Sequence, residues 1–286
     1  MNRVVLLGCK GGPAIRAGGA MPTSSLLELD GWRIVVDCGI GVAKALVEAG
    51  VDLKSLDLIC ITHLHSDHVL ELGPLIHTAW TTGLSRPLTL FGPPGIEDYW
   101  RGFLASMAYD SAIRVADEGR TPLEDLVVLK VYGEGEVAAW DGLRIAALRV
   151  PHPPLDHCFA LRFEGTSVVT FSGDTAWFPP LADFARGSDL LVHEAMLPEG
   201  IEAIVQKTGL GARLRAHLHA SHTVVEDAAR IAAAAGVGRL ALNHLIPVDD
   251  PRFTESDWLS RAASVWDGPV TVGCDGLEIA VPSRRG

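Results

Sequence analysis

The sequence predicts an α/β protein of two strand-rich layers covered by helices, and three observations predict it. Strand-like and helical segments alternate through the first part of the chain, four strand-like runs follow one another in the middle, and a second alternation closes it. The chain has 286 residues, 48% of them hydrophobic, enough for one large core. No short-period repeat, low-complexity tract or Pro/Gly-rich linker divides it, so a single domain over 1–286 is expected.

Apolar or alternating runs at 3–7, 25–29 and 33–37 predict strands, followed by a helix near 42–49 and a strand at 57–62. Residues 70–83 suit a helix and 87–91 a short strand, and Pro93-Pro94 prepares a helix from Gly95 to Ala108. Strands are expected at 126–132, 143–150, 157–164 and 167–172, with Asp141-Gly142 and Glu164-Gly165 as turns. A strand at 189–193 and an alanine-rich helix at 223–235, ended by Gly236, come next. A strand at 239–243, a helix at 255–265 and a strand at 277–281 complete the series.

The strand at 57–62 runs into His63-Leu64-His65-Ser66-Asp67-His68, four metal-ligand side chains in six residues. Imidazole and carboxylate without thiolate suit zinc, accommodate iron or manganese, and disfavour a closed structural site. Alternate side chains of an extended segment share a side, so His63 and His65 can grip one ion while Asp67 and His68 face elsewhere. Two ions side by side are the natural reading.

Other strand ends supply partners. His152, in Val150-Pro151-His152-Pro153-Pro154, by itself suits an exposed loop, but beside the cluster it reads as a ligand on a loop stiffened by prolines. Asp174 ends the run Val168 to Gly173, where a carboxylate can bridge two cations or cap a helix. His244 follows Leu240-Ala241-Leu242-Asn243 and suits a ligand or a hydrogen-bonded core histidine. Together the three could complete two coordination shells. His217 and His219 also have H-x-H spacing, but no D-H pair follows, and a polar loop or helix face explains them. His77 and His157 are read as structural or substrate-side residues, with His157 the substitute for His152.

Bulk properties narrow the function classes. Twenty-four basic against 35 acidic residues give a formal charge of −11, without a Lys/Arg-rich run, which disfavours long polyanions. No apolar stretch approaches the roughly 18 residues of a membrane helix, so no membrane partner is expected. The opening residues lack a signal-peptide pattern, and Cys9, Cys38, Cys60, Cys158 and Cys274 are scattered, so a cytoplasmic location is expected.

The H-x-H-x-D-H motif, Gly173-Asp174, Asn243-His244 and the opening Gly8-Cys9-Lys10-Gly11-Gly12-Pro13 together resemble the metallo-β-lactamase-fold hydrolases, in their ribonuclease Z and arylsulfatase-like branch. The resemblance spans almost the whole chain. It implies an αββα sandwich, two mixed sheets flanked by helices, with the metals at the open edge between the sheets. By position it implies His63, His65 and His152 on one ion, Asp67, His68 and His244 on the other, and Asp174 bridging. Asp37, otherwise an ordinary turn residue, matches a family carboxylate that supports the motif loop.

His193-Glu194-Ala195 and Ser221-His222-Thr223 resemble segments that assist proton delivery to the leaving group in this branch. A Glu194-oriented His222 would suit a general acid, although His222 alone reads as a helix-entry histidine beside Thr223. Asp67 would also orient the hydroxide. Dimers are frequent in the branch, so a homodimer is admitted by resemblance alone.

The function expected is a dinuclear zinc-dependent hydrolase, with Mn2+ or Fe2+ also accommodated. It would cleave an ester-type bond, whether phosphodiester, sulfate ester, carboxylic ester or lactone, by attack of a metal-bridging hydroxide. The long Gly/Pro-rich arm of ribonuclease Z has no counterpart here. With the acidic balance, that places a small-molecule ester ahead of nucleic acid, leaving a ribonuclease Z-like tRNA 3′ endonuclease as the alternative. An iron-dependent oxidoreductase of the same fold is the second alternative, and a complete ligand set disfavours a non-catalytic scaffold. Trp80 to Gly83, Tyr99 to Tyr109 and Pro198 to Arg215, with Lys207, Arg213 and Arg215, are the candidate specificity segments, Tyr99 to Tyr109 being equally consistent with core.

Overall fold

Apolar residues occupy consecutive rather than alternate positions along the first strands because those strands are buried on both faces. Val4 and Leu6 point into one apolar cluster and Val5 and Leu7 into another. The computed structural model describes residues 2–283; Met1 and residues 284–286, counted in the domain expected over 1–286, lie outside the described residues.

One sheet holds β1 (Arg3–Gly8), β2 (Ser24–Leu29), β3 (Trp32–Cys38), β4 (Leu58–Cys60), β5 (Leu88–Gly92) and β6 (Val127–Val131). The other holds β7 (Gly135–Trp140), β8 (Leu143–Arg149), β9 (Phe159–Glu164), β10 (Val168–Phe171), β11 (Leu190–Met196), β12 (Leu240–Ile246) and β13 (Val270–Val272), while β14 (Leu277–Ala280) returns to pair with β1. The orders are β14-β1-β2-β3-β4-β5-β6 and β13-β12-β11-β10-β9-β8-β7. Both are mixed, antiparallel at β1–β3 and β7–β10 and parallel at β3–β6 and β10–β13.

Leu27, Ile34, Phe91, Phe163, Phe171 and Val192 fill the space between the sheets. The outer face of the first sheet packs on α1 (Val42–Glu48), α3 (Leu72–Thr81) and the start of α4 (Ile96–Glu118), reached from the strand after the one-turn α2 (Ser66–Val69). α5 (Leu123–Leu126) leads into β6. The second sheet is covered by α6 (Pro180–Phe184), α9 (Val225–Ala235) and α10 (Glu255–Ala263) through Ala228, Ile231 and Trp258. Helices, sheet, sheet and helices are therefore stacked as the expected αββα sandwich. Among the described residues no helix is long and apolar enough to cross a membrane.

Three elements depart from expectation. Helix α4 continues to Glu118 instead of stopping at Ala108, and β7 was not predicted because Gly135-Glu136-Val137-Ala138-Ala139-Trp140 has a weak alternation. Residues 201–221 form a helical hairpin, α7 (Ile201–Thr208) and α8 (Gly211–Ser221). Gly209 (φ 70°) and Gly211 (φ 61°) make its turn in backbone conformations that L side chains disfavour. Its inner face, Ile201, Val205 and Leu218, closes on Met196 and Ile246.

Candidate metal centre

The strand ends at the open edge of the sandwich bring the sequence-predicted ligands together. β4 delivers His63 and His65, and α2 follows at once with Asp67 and His68. His152 lies beyond β8 and Asp174 beyond β10. His244 lies inside β12, not at its end as expected. Asn243 pairs with Glu194 and Leu245 with Ala195, so His244 is the extra residue of a bulge, at φ 43°. A bulge re-aims a side chain without ending the strand.

Ligand atoms of His63, His65, His152 and Asp174 lie within 4.8 Å of one another, as do those of Asp67, His68 and His244. Asp174 Oδ2 stands between the groups, 3.7 Å from His63 Nε2, 3.8 Å from His152 Nε2, 3.4 Å from His68 Nε2 and 3.0 Å from His244 Nε2. His65 Nδ1 is 3.0 Å from His152 Nε2, and Asp67 Oδ2 is 3.4 Å from His244 Nε2.

The surrounding hydrogen bonds fix which nitrogen each ring presents. His68 Nδ1 donates to Asp37 Oδ2 at 2.8 Å, and His152 Nδ1 to the Ser221 carbonyl at 2.9 Å. Thr62 Oγ1 gives its one hydrogen to Asp37 and so accepts from His63 Nδ1 at 3.0 Å. All three rings therefore turn Nε2 inward, the arrangement by which outer partners orient metal-binding imidazoles. Asp37 occupies the supporting position expected of it, also accepting from Thr62 N at 2.8 Å.

The donor set fits divalent ions. Among the described residues His63 Nε2, His68 Nε2 and His244 Nδ1 are buried without a hydrogen-bond partner, an expense that for the two Nε2 atoms an ion would relieve. Charge divides the two groups. Burial, then His68, pushes the His63 pKa well down; burial, then His152, lowers His65 to about 4. Burial also lowers His152. Burial opposes charge on His68 and His244 too, but Asp174 with Asp37 and Asp67 holds His68 well up, and Asp174 with Asp67 holds His244 at about 10. Burial opposes charge on Asp174 and Asp67 in turn, and facing imidazoles keep both pKa values well below the usual carboxylate range.

Glu194 and His222 also meet. Neighbouring residues of a strand face opposite ways, so Glu194 turns to the site while His193 turns back. Glu194 Oε2 accepts from His222 Nδ1 at 2.9 Å and Oε1 from Thr175 N at 2.6 Å. Nε2 of His222 is left for the cavity. His222 ring atoms also come within ligand range of Asp174 and His244, so geometry alone allows a third metal-holding group there.

Beside the metal centre lies a cavity of about 220 Å³ roofed by the hairpin. Ile204, Leu210 and Leu214 make an apolar wall, Arg16 and Lys207 bring positive charge, and Lys10 is paired with Asp249, which lines the cavity with Asp250. Of the expected specificity segments, only 198–215 contributes. Trp80 is 1% exposed and Trp100 7%, both in the core, while Tyr109, 84% exposed, faces away; neither Trp80–Gly83 nor Tyr99–Tyr109 lines the cavity. Arg215 instead pairs with Glu202 across the hairpin. His77 faces Asp110, and His157 and His219 are exposed. His217, set aside on spacing, does line the cavity, its ring centroid 6.0 Å from that of His222. The signal was there: Ile201, Ile204 and Val205, then Leu214 and Leu218, repeat at helical spacing, and His217 stands three residues after Leu214.

Comparison with known proteins places this geometry. Residues 5–225 match the family described as anti-Pycsar protein Apyc1. Ribonuclease Z of Mycobacterium sp. (strain KMS) is 34% identical over 278 residues, covering 96% of this chain and 94% of that protein. The metallo-β-lactamase fold protein YhfI from Bacillus subtilis superposes with a TM-score of 0.73 at 21% identity, over 98% of this chain and 100% of that one. The short form of human tRNase Z gives 0.68 at 20%, over 98% and 99%. At those identities the two structures show the fold alone. The ribonuclease Z relatives overturn the expectation that a small-molecule ester outranks nucleic acid as partner. This chain covers 94% of that ribonuclease Z, so a missing arm does not set the two apart, and net charge says little about the field at one cavity.

Proposed function

The chain belongs to the family described as anti-Pycsar protein Apyc1 and to the ribonuclease Z family of metallo-β-lactamase-fold hydrolases, metal-dependent enzymes acting on ester bonds; from that premise we propose that it is a ribonuclease Z-like endonuclease cutting a phosphodiester of RNA. What supports the reading is the convergence of four imidazole nitrogens on Asp174 Oδ2 in a chain that aligns with ribonuclease Z along its length.

In this reading His63, His65 and His152 would hold one ion and Asp67, His68 and His244 the other, with Asp174 available to both. Zinc fits the donors, with manganese or iron also accommodated. When bound, the ions supply electrophilic pull on a phosphoryl oxygen and activate a water. Asp67, fixed by Gly12 N–H to Oδ2 at 2.8 Å, orients the attacking water. Glu194 holds the His222 ring so that Nε2 reaches the leaving oxygen and gives it a proton, and the buried Glu194 carboxylate steadies the imidazolium before transfer. Arg16 and Lys207 draw the phosphate backbone to the cavity.

A panel of substrates sharing one chromophoric leaving group on phosphodiester, sulfate ester, carboxylic ester and lactone-type centres tests the bond class. Turnover of the phosphodiester, lost on chelation and in His65→Ala, is expected. Preference for a carboxylic or sulfate ester with an inert phosphodiester would refute it.

A further inference from the structure

Ser221 is fully buried at the junction of the hairpin and the metal centre, and it fixes two rings at once. Its carbonyl accepts from His152 Nδ1 at 2.9 Å. Its hydroxyl lies 3.2 Å from His217 Nδ1 and 2.6 Å from the Pro153 carbonyl. A serine hydroxyl has one hydrogen, and a carbonyl can only accept, so that hydrogen goes to Pro153 O. The contact with His217 then works only if Nδ1 carries the ring hydrogen. The neutral ring therefore has a bare Nε2, a hydrogen-bond acceptor, in a side chain lining the cavity.

His217 is outside both ligand groups, its centroid 6.4 Å from that of His65 and 6.1 Å from that of His152. An acceptor there has no use for a phosphate oxygen, which also only accepts; Arg16 and Lys207 serve that role. It needs a donor from the substrate, and the donor that every ribonucleotide carries beside its phosphate, and that DNA lacks, is the 2′-hydroxyl. We propose that His217 is a specificity-determining residue that accepts a hydrogen bond from the 2′-hydroxyl of a ribose flanking the scissile phosphate, selecting RNA over DNA. The proposal rests on the ribonuclease reading above and adds to it the group that reads the sugar.

The test is a cycle between protein and substrate. Metal-loaded native protein, His217→Ala and His217→Gln are compared on an RNA and on two versions with a single 2′-deoxynucleotide, one on each side of the scissile bond. For the native protein one deoxy position is expected to cost about tenfold in kcat/KM, the scale of one lost hydrogen bond. His217→Ala should lose about as much on the all-ribose RNA and then show no further loss on the deoxy version. His217→Gln, whose amide oxygen can accept, should recover part of the ribose preference. A ribose-to-deoxy ratio unchanged in His217→Ala overturns the proposal, with RNA cleavage by the native protein leaving the ribonuclease reading intact. Native, metal-loaded protein that cleaves no RNA overturns both.

Discussion

Asp37 and His244 stand in different sheets, and each is the unpaired residue of a β-bulge with a positive φ, 62° at Asp37 and 43° at His244. Ser24 pairs with Cys38 and Ser25 with Val36, which leaves Asp37 out of register in the same way that His244 is left between Asn243 and Leu245. Asp and His are among the non-glycine residues that most often accept a positive φ, so the fold places two such bulges on either side of one ligand cluster.

Replacing Asp37 by Asn keeps the shape and removes the carboxylate that orients His68 and Thr62. Metal affinity is expected to fall about 10- to 100-fold, read as ions per chain after dialysis against a weak chelator. Full retention of two ions would show that the bulge, not the charge, positions His68.

The two ions should differ in their proton cost. His65, at about 4, and the low-lying His63 and His152 are neutral near pH 7, so the first ion displaces no proton from them. His244, at about 10, and His68, held well up, are both protonated there, so the second ion displaces two protons and each unit of acidification should weaken it about a hundredfold. Metal titration at pH 8 and pH 6, with proton release followed by indicator dye, checks this. Equal release and equal pH sensitivity for both ions would contradict it.

Glu194→Gln and His222→Ala should each lower kcat by about 10² to 10⁴ on a poor leaving group and by much less on a nitrophenolate. Both variants should keep two ions per chain. Loss of an ion in His222→Ala would instead make His222 a ligand beside Asp174 and His244.

Gly39 tests how tightly the motif loop is seated. A Cβ there would meet Asp67 O at 2.5 Å and Thr23 O at 2.8 Å, both backbone atoms. Gly39→Ala should destabilise the fold by about 1–3 kcal/mol and release the second ion. Gly102, inside α4 with nothing within 4 Å of such a Cβ, is the contrast: Gly102→Ala should stabilise by about 0.5–1 kcal/mol. Thermal melting with metal analysis distinguishes the two.

The layers of the fold were legible in the sequence because doubly buried strands such as Val4–Leu7 and Ile34–Val36 are uninterrupted apolar runs. The ligand cluster was legible because Thr62 to His68 is contiguous. The hairpin was not: Gly209 and Gly211 interrupt its pattern, and its apolar face is short, covering Met196, Val224 and Ile246. The helical spacing of Leu214 and Leu218 could have set His217 on the cavity side, but its contact with the Ser221 hydroxyl is one that no spacing rule encodes. The substrate class was misjudged from net charge, a global property that does not register Arg16 and Lys207 at one cavity.

The ribonuclease assignment is tested most directly by incubating metal-loaded protein with a precursor tRNA bearing a 3′ trailer and mapping the product ends. A single cut at one phosphodiester, abolished by chelation and restored by zinc or manganese, is expected. A precursor left intact by protein holding two ions per chain would contradict the assignment.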